Sequence, residues 1–181
     1  MNETATARQG VLIRPAAAAD MAAITRIYAF AVNHGTATFE IDPPDEAEMT
    51  RRHAALSEDG YPYLVAERSG LIAGYAYAGV YRARPAYHWS VEDSIYIAPE
   101  FHRQGIGSAL LARLIAEAEL RSFRQMIAVI GDSAQKPSIA VHARAGFVHI
   151  GTLRSVGFKH GRWLDTVLMQ RPLGSGDTML P

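Results

Sequence analysis

The stretch from Asp93 to Leu111, DSIYIAPEFHRQGIGSALL, constrains the fold more than any other part of the chain. A run of β-formers stops at Pro99, a loop bearing Gly105 and Gly107 follows, and a long helix with an apolar stripe begins there. A helix start offers unpaired N–H groups and the positive end of its dipole, and glycines let an anion approach them. His102 and Arg103 add positive character at the same point. The chemistry suggested is the binding of a pyrophosphate-bearing cofactor. Taken by itself the loop leaves three readings open: a glycine-rich turn into a helix, a dinucleotide fold, or another pyrophosphate site. The dinucleotide pattern finds Leu110 at its third glycine and lies past mid-chain, although Asp132 does follow the next strand. No Walker lysine follows the glycines, which speaks against nucleoside triphosphate chemistry.

Around this segment the element types alternate. Val11 to Arg14 reads as a strand, and Asp20 as the cap of a helix that carries Met21, Ile24, Ile27, Tyr28 and Ala31 on one face. Pro43-Pro44-Asp45 opens a polar surface helix from Glu46 to Leu56. Tyr63 to Glu67 and Leu71 to Val80 are strands joined at Arg68-Ser69-Gly70, and Trp89 to Ile97 is a third. The helix from Gly105 to Arg121 carries the stripe Ile106, Leu110, Leu114, Ile115, Ala118. Met126 to Ile130 reads as a buried strand, Pro137 to Ala145 as a helix, and Gly146 to Ser155 and Trp163 to Met169 as the last strands. The order β-α-α-β-β-β-α-β-α-β-β predicts a single α/β (α+β) domain, a mixed central sheet flanked by helices. It spans residues 11–173, with tails at 1–10 and 174–181.

Length and composition narrow the functional classes. A chain of 181 residues suits one domain with a real core. Its 18 basic and 18 acidic side chains leave no net positive charge for a nucleic-acid partner. With no cysteine there is no disulfide, thiolate metal site or cysteine nucleophile. No apolar run approaches the ~20 residues of a spanning helix, and the N-terminal residues lack a signal core. A cytoplasmic protein without a membrane partner is expected. His34, His53, His88, His149 and His160 show no metal-ligand spacing with carboxylates, so no metal is expected.

The run HRQGIGSALL resembles the acetyl-CoA loop of the GNAT acyltransferase superfamily, with His102 in the first position, where the superfamily has Arg or Gln. SIAVHARAGF, Ser138 to Phe147, resembles that superfamily's late helix and following strand. The likeness narrows at Thr36 to Glu40 (TATFE), Ala86 to Ile97 (AYHWSVEDSIYI), Val129 to Gly131 and Gly157 to Asp165 (GFKHGRWLD). Together these segments resemble phosphinothricin and methionine-sulfoximine N-acetyltransferases over roughly Leu12 to Leu173, with Gln135 standing where that family has Asn. The resemblance implies a GNAT fold, acetyl-CoA as cosubstrate, acetylation of the α-amino group of a small amino acid, and a homodimer.

Acetyl transfer to an amine requires removal of a proton from the ammonium, donors to the carbonyl oxygen and, usefully, a proton for the departing thiolate. Glu92, on the strand before the cofactor loop, is the general-base candidate, and the resemblance places the family's catalytic carboxylate there. The resemblance puts His142 near the leaving sulfur, as a proton donor or a cofactor contact. It implies that the backbone of Ile95, Tyr96 and Ile97 meets the pantetheine arm, that Arg103, Gln104, Gly105, Ile106, Gly107 and Ser108 hold the pyrophosphate, and that Gln135 and Ser138 also touch the cofactor. Arg82 and Arg84, flanking Ala83, suit a carboxylate because the guanidinium presents a planar fork. Phe39, Glu92, Asp93 and Ser94 complete the expected substrate set, with Tyr87 and Trp89 as further candidates for the pocket wall. Lys159, His160, Trp163 and Asp165 are marked by resemblance and have no chemical role assigned from sequence. Alternative readings are another small amine or a peptide N-terminus as acceptor, a nicotinamide-dinucleotide enzyme, and a non-catalytic acyl-CoA sensor.

Overall fold

The computed structural model describes residues 10–180. Residues 1–9 of the expected N-terminal tail, and Pro181, lie outside the described residues. The elements are β1 (Leu12–Pro15), α1 (Met21–His34), α2 (Glu46–Glu58), β2 (Tyr63–Arg68), β3 (Leu71–Val80), β4 (Ser90–Ile97), α3 (Ile106–Leu120), β5 (Gln125–Gly131), α4 (Lys136–Arg144), β6 (Val148–Lys159) and β7 (Arg162–Pro172). Their order is the one the sequence indicates. They build a 7-stranded sheet in the order β1-β2-β3-β4-β5-β7-β6. Every neighbouring pair is antiparallel except β4 and β5, which run parallel.

Two apolar clusters hold helices to the sheet. On one face α3 sets Ile106, Leu110, Leu114, Ile115 and Ala118, its expected stripe, against Leu64, Ala76, Val91, Met126 and Val167 of the strands. On the other, Ile24, Tyr28 and Val32 of α1 and Met49 of α2 close over Tyr63, Val65 and Tyr75. The two-residue turns Ser69-Gly70 and His160-Gly161 both have positive φ (53° and 75°, 51° and 73°), the left-handed pair that matches strand twist in tight hairpins.

Three details depart from the sequence reading. Asp20 makes no side-chain cap on α1, because Arg14 at 2.7 Å and the Ala17 N–H at 2.8 Å occupy its carboxylate. Helix α2 runs two residues further, to Glu58, with Asp45 as its true cap accepting from the Glu48 N–H at 2.8 Å. Strand β6 does not stop at Ser155. It passes through a bulge there and continues to Lys159, held by the Asp165 carboxylate, which accepts from the Ser155 N–H at 3.0 Å. Residues 174–180 form turns, tied back by the Arg124 guanidinium donating to the Leu180 carbonyl at 3.2 Å. Among the described residues no helix is long and apolar enough to cross a membrane.

Candidate active site

The parallel pairing of β4 and β5 runs from Ser90–Gln125 to Asp93–Ala128. Beyond that rung β4 continues with Ser94 to Ile97, bonded on its other side to β3, and β5 continues with Val129 to Gly131, bonded to β7. The two strands part, and a cleft opens in the middle of the sheet with a strand edge on each side. An extended ligand can add to such an edge through its amide groups. Ile95, Tyr96 and Ile97 lie on this free length of β4.

The chain leaves β4 through Pro99 and reaches α3 by a turn in which Arg103 (φ 58°) and Gly105 (φ 81°) are left-handed. Gly105 satisfies that φ, and α3 begins behind it without a side-chain cap, so its first N–H groups face outward. Gly107 is glycine for another reason: a Cβ there would meet Ile97 at 3.8 Å, ordinary contact, so the protein's own packing does not exclude one. The open space beside it fits the close approach of a phosphate group. Arg103 and Ser108 are exposed at this helix end, while Ile106 is a core residue whose side chain anchors the turn. The Gln104 side chain braces the loop, accepting from Arg68 and donating to the Glu100 carbonyl. Residues present therefore fit a pyrophosphate at the α3 N-terminus and an extended arm along β4.

Alternation along β4 divides its side chains between two faces. Val91, Ile95 and Ile97 turn toward the α3 cluster, and Tyr96 toward the α1 cluster. Glu92 shares the Tyr96 face, half-buried, and Ser94 there stands opposite Tyr77 of β3. Burial first, and the Asp93 charge second, push Glu92 up to about 7, against a downward pull from the Arg82 guanidinium. Arg82 stacks on the Tyr81 ring at 5.2 Å and lines, with Ala83, Arg84 and Tyr87, a surface hollow of about 350 Å³. These residues belong to the β3–β4 connection, so Arg82 and Arg84 share the hollow without sharing a strand face.

Asp93 lies on the opposite face, where its Oδ2 is 2.9 Å from His142 Nε2, and His142 Nδ1 is 2.8 Å from the Ser138 carbonyl. Burial disfavours the charged ring, but the Asp93 hydrogen bond and charge outweigh it and hold His142 above its ordinary range. Glu92 and His142 are thus brought to the same rungs of β4 but kept on different faces. Asp93, expected among the substrate contacts, has its Oδ2 taken by His142, and Ser138 contributes its carbonyl.

The far end of the cleft is assembled from distant segments. The Lys159 ammonium donates to the Thr38 carbonyl at 2.9 Å, and His160 Nε2 lies 3.2 Å from the Gly35 carbonyl. Asp132 accepts from Thr36 at 2.9 Å and from Arg162 at 2.5 Å, and the Gln135 amide donates to the Thr36 hydroxyl at 3.0 Å. The Phe39 ring rests on two glycines: a Cβ at Gly157 would sit 2.3 Å from it, and one at Gly131 would sit 3.0 Å away. The β6–β7 hairpin therefore clamps the loop carrying Phe39 over the end of β5. Asp165, which ties Ser133, Arg154 and Ser155 together, shapes that hairpin, whereas Trp163 is exposed. Sequence reasoning names Thr36 and Asp132 but does not join them, and does not find the Asp93–His142 contact, because each contact joins residues remote in the chain. The one local signal was the pair Gly131 and Gly157, glycines inside strands where a close approach is the usual reason. Among the described residues no cluster of His, Asp or Glu could hold a metal ion.

Comparison with known proteins agrees with this geometry. Residues 13–168 match the acetyltransferase (GNAT) domain family. The chain is 57% identical over 162 residues to a phosphinothricin N-acetyltransferase of Alcaligenes faecalis, covering 90% of this chain and 82% of that one. It is 39% identical over 161 residues to an L-methionine sulfoximine/L-methionine sulfone acetyltransferase of Salmonella typhimurium, covering 89% and 94%. Among solved structures, a GNAT superfamily phosphinothricin acetyltransferase from Sinorhizobium meliloti, in complex with AcCoA, superposes with a TM-score of 0.92 at 50% identity over 94% of this chain and 92% of that one. A cleft between parting parallel strands, a glycine-bearing helix start below it and a match over nearly the whole domain lead to one conclusion: the chain belongs to the GNAT acetyltransferase family.

Proposed function

We propose that this chain transfers the acetyl group of acetyl-CoA directly to the α-amino group of a small amino acid or analogue, with phosphinothricin, methionine sulfoximine and methionine sulfone as leading acceptors. The observation that carries the reading is a half-buried carboxylate, Glu92, held near 7 on the rungs where β4 leaves β5. Acetyl-CoA supplies the acetyl group already activated as a thioester. The outward N–H groups of α3, with Arg103, hold its pyrophosphate, and the free edge of Ser94 to Ile97 takes its amide arm. Arg82 and Arg84 receive the acceptor's carboxylate in the hollow beside the cleft. Glu92, ionised in good part at neutral pH, takes a proton from the ammonium so that the amine can attack. With no cysteine in the chain, an acyl-cysteine relay has no nucleophile.

The active form is a homodimer. Val148, Ile150, Leu153, Val156 and Phe158 of the edge strand β6, with Trp163 of β7, are between 49% and 64% exposed, an apolar surface that a second copy would cover. Thiol release from acetyl-CoA tests the reaction, with a panel of methionine sulfoximine, methionine sulfone, phosphinothricin, a peptide N-terminus and a polyamine. Turnover with one of the first three and not with the last two is expected. Turnover confined to the peptide or polyamine would overturn the acceptor class, and sedimentation at the 19.7 kDa of one chain would overturn the dimer.

A further inference from the structure

The Asp93–His142 contact has a protonation logic of its own. The Ser138 carbonyl, 2.8 Å from Nδ1, has no proton to give, so Nδ1 carries a hydrogen. Nε2 and the Asp93 carboxylate, 2.9 Å apart, then share one further proton. Whichever atom holds it, the two side chains together are neutral. They are 6% and 2% exposed, and Asp93 Oδ1 has no hydrogen-bond partner among the described residues, so without that proton a bare carboxylate would lie in a dry site. Neither ring nitrogen is turned to open space, as donation to a departing thiolate would require. Asp93 also adjoins Glu92 in the chain, on the other side of a single strand.

We propose that His142 is a positioning residue that offsets the charge of Asp93 and thereby eases ionisation of Glu92 on the opposite face of β4. The inference rests on the reading of Glu92 as the base. The groups that reach Glu92 are Asp93 on its own strand, Arg82 from the β3–β4 connection and Tyr77 from β3, while its β5 neighbour Ile127 carries no charge. Arg82 is exposed to solvent, so of these groups Asp93 is the shielded one, and the ring of His142 is the partner set against it.

The test is a carbon-13 titration of the Glu92 carboxyl, its resonance identified by its loss in Glu92→Gln. In His142→Asn the charge of Asp93 is uncompensated, and Glu92 moves up by about one pH unit. In Asp93→Asn the charge that helps to push Glu92 up is gone, and Glu92 falls below wild type. The double variant Asp93→Asn/His142→Asn brings Glu92 to the Asp93→Asn value and melts above His142→Asn, because no lone buried carboxylate is left. The acid limb of kcat/KM follows the carboxyl in all three. An unmoved Glu92 in His142→Asn, a shift that the double variant retains, or a double variant no more stable than His142→Asn would overturn the proposal and return His142 to a direct role. Full turnover by Glu92→Gln would remove the base assignment, yet the carboxyl titration would still read the pair.

Discussion

The two walls of the cleft are built by different means. The β4 wall and the helix start below it come from one continuous run, Ser94 to Ser108, whose shape follows from local rules: a proline stop, a left-handed glycine and an uncapped helix. The wall at the end of β5 has no local origin. Thr36, Thr38 and Phe39 meet Asp132, Gln135, Gly157 and Lys159 across separations of about a hundred residues, and each contact depends on the others being in place. One wall is a portable local motif, whereas the other exists only once the tertiary structure is complete.

The difference can be sharpened by variants that strike one wall at a time. The largest effect is expected for Glu92→Gln, which should lower kcat by about 10²–10⁴-fold while acetyl-CoA affinity stays near wild type. The same variant has a stability signature. Because Glu92 is raised from 4.5 to about 7, the folded chain binds more protons than the unfolded one between those values, so wild-type stability falls as pH rises through that window. Melting curves should show Glu92→Gln gaining on wild type from pH 5 to pH 7 and holding its advantage above. A constant difference would contradict the raised carboxyl.

Next in size is Gly157→Ala. Its Cβ would press on the Phe39 ring, with an expected cost of about 1–3 kcal/mol in denaturant melts and a raised KM for the amino acid. Phe39→Ala in the same chain should recover the stability but not the KM, and a silent Gly157→Ala would show that the ring does not depend on the clamp. The smallest effect falls on the local wall. Arg103→Glu should weaken acetyl-CoA about tenfold, ~1.4 kcal/mol, in calorimetry, and leave the amino-acid KM unchanged. Equal losses for both ligands would erase the distinction between the walls.

The same division explains what the sequence discloses. The order of elements, the stripe of α3 and the glycine turn are legible because periodicity and turn chemistry act over a few residues. The cap at Asp20 misleads because Arg14, six residues away, competes for the same carboxylate. Strand β6 is truncated in the sequence reading because Ser155 adopts a left-handed φ of 52° that only the distant Asp165 sustains. Within the site, Glu92 and the Arg82–Arg84 pair can be named from residue type and family likeness. The partnership of Asp93 with His142, and the division of Glu92 and His142 between two faces, emerge only when α4 packs against the sheet.

The bulge in β6 bears on what the outer edge of the sheet can do. Arg154, Ser155 and Val156 stand opposite the single residue Asp165, so the ladder of amide groups on the outer edge is broken midway along the strand. A straight apolar edge would be a template for strands to add without limit. Here the interruption denies such growth a continuous register, while the side chains on either side of it keep their apolar faces. The edge is thereby ill suited to open-ended strand addition, a safeguard against fibres written into one carboxylate and the residues it holds.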